Sequence, residues 1–272
     1  MTKQYSLAHL TVLGATPPEQ TYIAARAGYD YVSLRPFQLL PHEPNFSLAA
    51  NKDLYEQTKE ALNETGVKLL DIELARIYDG VDPKQYEPDI ELAAELGGHH
   101  VLCSIWTTDR SFYMERFAEL CDIAKSYGLT VELEFVPIAA VKNLASAVDV
   151  LDAVNRDNAG LMIDIHHIHR SGDKVEDLDK VPRDWFRFLH LCDAPAKIPS
   201  SQEEMIRIVR EGRWYVGEEG GIDVASIVNR IPEIPYSIEL PNAERSKALG
   251  YEEFARRCLQ TAKDYFEKHP RP

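Results

Sequence analysis

At 272 residues with 44% hydrophobic content, the chain can form one large domain or two small ones around a sizeable core. Its formal charge of −14, from 44 acidic against 30 basic residues, argues against a nucleic-acid partner, whose phosphates need a basic face. No run reaches the roughly 18 uninterrupted apolar residues of a membrane span, and the N-terminus lacks a basic region followed by an apolar stretch, so neither membrane span nor signal peptide is expected and a cytoplasmic location is.

Strand-length apolar runs alternate with longer stretches of helical period. A first strand is expected over residues 5–9. Pro17, Pro18 and Glu19 then open a helix, since proline suits the first turn and acid the N-terminus, and it stops near Gly28. The second strand, 31–34, runs into Arg35-Pro36 and a long connection. A helix over 53–63 stops at Gly66, and strand three covers 67–73. A helix over 82–96 stops at Gly97-Gly98, and strand four is 100–105. Helix 112–127 precedes strand five, 129–135; helix 144–155 precedes strand six, 160–164. Strand seven is expected over 186–190, a helix over 222–231, strand eight over 236–239 and a closing helix over 251–266.

Eight strands alternating with helices imply a parallel sheet with crossovers, and at this length a single-domain (β/α)8 TIM barrel spanning 1–272. A glycine-rich G-x-G-x-x-G after the first strand is missing, which removes the main signal of a dinucleotide-binding fold. Cys103, Cys121, Cys192 and Cys258 are scattered with no CxxC pair, as small core residues would be. The long connections after strands two and seven fall on the catalytic face of such a barrel.

That face also collects the polar residues at the strand ends: His9, Arg35, Glu73, Ser104, Glu134, Asp164, His190 and Glu239. A buried unpaired carboxylate is costly, so such groups are paired or metal-bound. Four successive strands end in Glu134, Asp164, His190 and Glu239. Three carboxylates and one imidazole suit one divalent ion, Mn2+ or Mg2+ first, with Co2+, Fe2+ or Zn2+ also accepted. Glu132 shares a strand face with Glu134 and is an alternative ligand; His166 shares parity with Asp164 and competes with His167. His169 reads as a solvated loop residue, and His99 and His100 lie at the wrong end of the barrel. Arg35 is a carboxylate or phosphate contact or else a salt-bridge residue. Glu73 is a candidate ligand or substrate contact, and His9 and Trp106 are candidate substrate contacts, with a hydrogen-bonded core role open for His9 and a packing role for Trp106. Asp193 reads as a carboxylate holding His190 or a loop.

The order of Val-Glu-Leu-Glu134-Phe-Val-Pro, Asp164-x-x-His167, His190-x-x-Asp193 and Ser-Ile-Glu239-Leu-Pro resembles the xylose isomerase-like barrels, and more narrowly the sugar phosphate isomerase/epimerase group. Arg213-x-x-x-Gly217-Glu218 with Gly221-Ile-Asp223 is similar to that group's loop after strand seven, although Val216 stands where the family often has proline. The resemblance implies that Glu134, Asp164, His190 and Glu239 ligate the metal and that Glu134 and Glu239 also move the proton. It implies that His167 bonds a substrate oxygen and that Arg213 anchors a substrate hydroxyl or carboxylate. A metal-dependent isomerase or epimerase of a sugar-like small molecule follows, with an inosose- or 3-dehydroshikimate-type dehydratase as the alternative. An endonuclease IV-like hydrolase fits less well, because the Asp-x-His pair and further histidines of its trinuclear site are missing; a non-catalytic binding barrel would not need two candidate base glutamates. Relatives often pair through barrel helices, so a homo-oligomer is allowed.

Overall fold

The computed structural model describes residues 3–39 and 43–271. Eight strands pair in chain order, all parallel: β1 (Tyr5–Ala8), β2 (Tyr31–Leu34), β3 (Lys68–Ile77), β4 (His100–Ile105), β5 (Thr130–Glu134), β6 (Ala159–Asp164), β7 (Leu189–Leu191) and β8 (Tyr236–Ile238). Pairing of Tyr5 with Tyr236 and Leu7 with Ile238 joins β1 to β8 and closes the barrel expected from the alternation. Among the described residues ten α-helices accompany the strands: α1 (Pro17–Ala27), α2 (Lys52–Thr65), α3 (Glu87–Glu95), α4 (Arg110–Ser126), α5 (Leu144–Val154), α6 (Ile165–Ser171), α7 (Gln202–Glu211), α8 (Val224–Val228), α9 (Ala243–Leu249) and α10 (Tyr251–Lys268).

Local chemistry fixes the boundaries. Thr16 and Glu19 cap α1 reciprocally, Thr16 N–H donating to Glu19 Oε2 at 2.8 Å, and Gly28 ends it at φ 91°, where a side chain would be strained. Asn51 and Asn143 accept from Leu54 and Ser146 N–H to start α2 and α5. Strand residues alternate between two surroundings. One set, including Leu7, Val32, Val101, Val131, Leu161 and Ile163, packs under the helices in the main core. The other points inward, where Leu70, Leu102, Met162 and Phe188 form a separate apolar cluster. All four cysteines are buried and free. Among the described residues no helix is long and apolar enough to cross a membrane.

Several elements differ from the sequence reading. Strand three runs on to Ile77, so Glu73 lies within it rather than at its end. Its register shifts beside β2, Leu69 pairing with Val32 but Asp71 with Ser33. Strand seven is shorter and later than expected, and the 222–231 helix contracts to α8. The histidines after Asp164 are helical, because Asp164 Oδ1 accepts from the N–H groups of His166 (2.7 Å) and His167 (3.3 Å) and so caps α6. Helix α7, unassigned from sequence, fills the long connection after β7 and starts at Ser201, whose hydroxyl accepts from Glu204 N–H.

Candidate active site and metal centre

Glu134 closes β5, Asp164 closes β6, His190 is the middle residue of β7, and Glu239 follows β8. All four are buried. His190 Nδ1 stands 3.4 Å from Glu239 Oε2 and 3.8 Å from Glu134 Oε1. His167 Nε2 lies 3.7 Å from Glu134 Oε1 and 3.6 Å from Asp164 Oδ2. Donor atoms converge in two adjoining trios, Glu73–His190–Glu239 and Glu134–Asp164–His167, each with its atoms within 4.8 Å of one another. The four strand-end residues of the sequence reading are therefore together, and Glu73 and His167 join them.

These residues fit a divalent cation. Both ring nitrogens of His190 and both carboxylate oxygens of Glu73 are buried without a hydrogen-bond partner among the described residues. Buried polar atoms are ordinarily paired, and an oxygen-rich set with an imidazole is a hard-metal donor set.

Arg213 neutralises part of the cluster. Its Nη1 donates to Asp164 Oδ2 at 2.7 Å and its Nη2 lies 2.9 Å from Glu239 Oε2. The sequence resemblance gave Arg213 a substrate role; in the structure it holds two expected ligands while still lining the pocket. Burial opposes ionisation of Glu239, but His190 and Arg213 outweigh it and keep the carboxyl well below its ordinary range. Burial, only partly offset by His190, lifts Glu134 well above it. On His190 burial is overcome by Glu239, Glu134 and Glu73, which push its pKa up to about 10.

A pocket of about 420 Å3 opens over the cluster, lined by Arg35, Trp106, Glu134, His167, Arg213 and Glu239, with Ile206, Val209 and Arg210 of α7 on its wall. Arg35 Nη2 is 3.6 Å from Glu73 Oε1. Glu73 itself lies among the possible metal donors and does not line the pocket. His9 does not reach it either: Nδ1 meets Gln20 Oε1 at 3.2 Å and the ring packs edge-on to Phe46, so its polar atom is spent in the core. Trp106 faces the pocket and donates from Nε1 to Ser104 Oγ at 2.8 Å.

The competing assignments separate. Glu132 pairs with Arg187 Nη1 at 3.0 and 3.2 Å, two residues nearer the N-terminal end of the strand, whereas Glu134 faces the pocket. His166 is fully buried in α6 beside His167, and only His167 lines the pocket. His169 is half-buried against Arg170 rather than solvated. Asp193 accepts from Ala194, Gly217 and Ile222 N–H groups, so it holds the loop after β7 and not His190. His100 bonds Thr130 at the opposite end of the barrel, as expected.

Three residues went unnoticed in the sequence. Asp71, on the β3 face of Glu73 by period-2 spacing, accepts from Ser33 Oγ beneath the cluster; burial and then Glu73 raise its pKa to about 8. Arg76 and Arg210 line the pocket. Period-2 spacing from Glu73 would have turned Arg76 to the helix-facing side; the register shift between Ile72 and Ala75 turns it to the pocket instead, and nothing in the sequence marked that shift. The spacing of Met205, Ile206, Ile208 and Val209 would have revealed α7 and with it Arg210.

The sequence model of the xylose isomerase-like TIM barrel matches residues 22–261. Inosose isomerase from Bacillus velezensis is 26% identical over 262 residues, covering 90% of this chain and 89% of that protein. The crystal structure of the IolI protein with a binding zinc atom superposes with a TM-score of 0.78 at 23% identity, covering 98% of this chain and 99% of that one. D-allulose 3-epimerase from Methylomonas sp., in complex with D-allulose, superposes with a TM-score of 0.70 at 19% identity over 96% of each chain. The chain belongs to the xylose isomerase-like TIM-barrel family.

Proposed function

We propose that this chain, an enzyme of the isomerase/epimerase type, acts on a sugar or related polyhydroxy carbonyl compound by moving a proton beside its carbonyl. The observation that carries this reading is the pair of carboxylates, Glu134 and Glu239, flanking His190 on the floor of one pocket. Glu134, Asp164, His190 and Glu239 would hold one divalent ion, for which Mn2+ or Mg2+ suits the oxygen-rich donors. When bound, that ion supplies a Lewis acid at the substrate's oxygens.

One glutamate takes the proton from the carbon next to the carbonyl; the C–H electron pair forms a C=C bond and the carbonyl π pair moves onto its oxygen. The other returns a proton to the opposite face of the same carbon, giving epimerisation, or to the former carbonyl carbon, giving isomerisation, in which the adjacent hydroxyl becomes the new carbonyl as its proton passes to the first oxygen. His167, between Glu134 and Asp164, donates to a substrate oxygen. Trp106 offers an apolar wall to the C–H face of a ring. Support comes from the curated inosose isomerases, whose named substrate is a polyhydroxy ketone. Loss of a β-hydroxyl after the same abstraction would instead give a dehydratase.

Proton–deuterium exchange in D2O over inososes, ketoses and 3-dehydroshikimate tests the shared first step and then the product. Exchange into one of these substrates is expected. Failure of all of them with metal-replete enzyme, or metal analysis finding no divalent ion in the purified wild type, overturns the reading.

A further inference from the structure

Four arginines line the pocket: Arg35, Arg76, Arg210 and Arg213. Two have carboxylates. Arg213 holds Asp164 and Glu239, and Arg35 lies 3.6 Å from Glu73. Among the described residues, Arg76 and Arg210 have none within ion-pair distance, although Glu43 also lines the pocket. A charge carried into a cleft without a counterion costs free energy unless a ligand supplies one.

Arg76 is also built into place. Its backbone is clasped by the Tyr86 hydroxyl, which accepts from Arg76 N–H at 3.1 Å and donates to Arg76 C=O at 2.8 Å. Its guanidinium lies over the Trp106 ring, 4.2 Å from the centroid, and that ring is pinned by the Trp106–Ser104 hydrogen bond. Stacking occupies a face of the guanidinium and leaves its edge donors for a planar or tetrahedral oxyanion. Its Nε is buried and unpartnered. Along β3, Arg76 lies three residues beyond Glu73, about 10 Å toward the mouth.

We propose that Arg76, joined by Arg210 from α7, forms an anion subsite at the pocket mouth, and that the substrate is a polyhydroxy carbonyl compound bearing a carboxylate or phosphate away from its reacting carbonyl. The substrate class rests on the proton-transfer reading above; the subsite itself does not. An anionic substrate departs from the neutral inosose named for the curated relatives.

Three unreactive probes differing at one end separate the ligand chemistries: D-glucitol, D-gluconate and D-glucitol 6-phosphate. Their binding to the metal-loaded enzyme is read by titration calorimetry for the wild type, Arg76→Gln and Arg76→Lys, each checked for equal metal content and melting temperature. Wild type is expected to bind one anionic probe at least about tenfold more tightly than glucitol, the scale of one charge-assisted hydrogen-bond set. Arg76→Gln should remove that preference without changing glucitol affinity, and Arg76→Lys should keep part of it. A preference for gluconate identifies a carboxylate substrate, and one for glucitol 6-phosphate identifies a phosphate. Equal affinity of wild type for all three probes, or an equal loss for all three in Arg76→Gln, overturns the subsite. If the Arg76 dependence holds but no ketone exchanges its proton in D2O, the subsite stands and the isomerase reading falls.

Discussion

Glu239 stands between two cations, His190 and Arg213, while Glu134 faces the imidazoles of His190 and His167 at longer range. Replacing either by glutamine keeps its shape and removes its ability to take a proton. Glu134→Gln and Glu239→Gln should each slow substrate deuterium exchange by roughly 10²–10⁴-fold, the usual worth of a positioned acid or base. Exchange within tenfold of wild type in both variants would exclude them as proton carriers. These positions were legible in the sequence because each follows an apolar run that has no structural use for a charge. The Arg213 contacts were not, because partners 49 and 26 residues away carry no local signature. Two further histidines act on stability instead. Burial, reinforced by Arg35 at His9 and by His99 and Arg187 at His100, lowers the pKa of each from 6.5 to about 3. Both stay neutral in the folded protein while the unfolded chain takes up protons below pH 6.5. Stability is therefore complete above that pH and declines as pH falls from 6.5 toward 3, by about 1.4 kcal/mol per pH unit for each histidine. Urea unfolding of metal-free protein between pH 7 and 5 should show His100→Asn losing about that much less per unit than wild type; equal slopes would refute it.

Among the elements, β6 contains the most crowded glycine. Gly160 sits where a methyl group would overlap the Arg187 guanidinium, the Glu132 carboxylate and the Trp185 carbonyl. Its φ is not in the left-handed region, so crowding alone makes glycine necessary. Gly160→Ala should destabilise by about 3 kcal/mol, the upper end for overpacking, because the displaced pair joins half-buried Arg187 to fully buried Glu132. A denaturation midpoint unchanged from wild type would show that the pair moves aside freely. The strands were largely legible because a barrel strand buries consecutive residues against helices on one face and a packed interior on the other. Strand three was cut short at Glu73 because a carboxylate looks like an end, whereas here it points into a polar interior shared with Asp71 and Ser33. The short helices α6 and α9 were not legible. Seven residues give too few turns for a clear period, and each depends on one capping side chain, Asp164 or Asn242; α7, by contrast, carries the helical spacing of Met205, Ile206, Ile208 and Val209.

Across the whole molecule, the barrel brings four buried carboxylates, Glu73, Glu134, Asp164 and Glu239, to one end of a chain whose net charge is −14. Arg35, Arg213 and His190 offset them in part. A divalent cation at this centre would add stability that the apo protein lacks, about 2.7 kcal/mol at a free concentration 100 times its dissociation constant. At roughly 2–4 °C per kcal/mol for a protein of this size, chelation should lower the melting temperature by about 5–10 °C, and resupply of the ion should restore it. Binding must also displace protons. His190, with a pKa pushed up to about 10 by its carboxylates, is protonated at pH 7 and must lose that proton to ligate. Affinity should therefore rise about tenfold per pH unit between pH 6 and 8, with at least about one proton released per ion. Calorimetric titration of the metal in two buffers of different ionisation enthalpy measures that release directly. Binding that releases no proton and leaves the melting temperature unchanged would mean that the ion sits elsewhere, and that Arg213 alone neutralises the carboxylates.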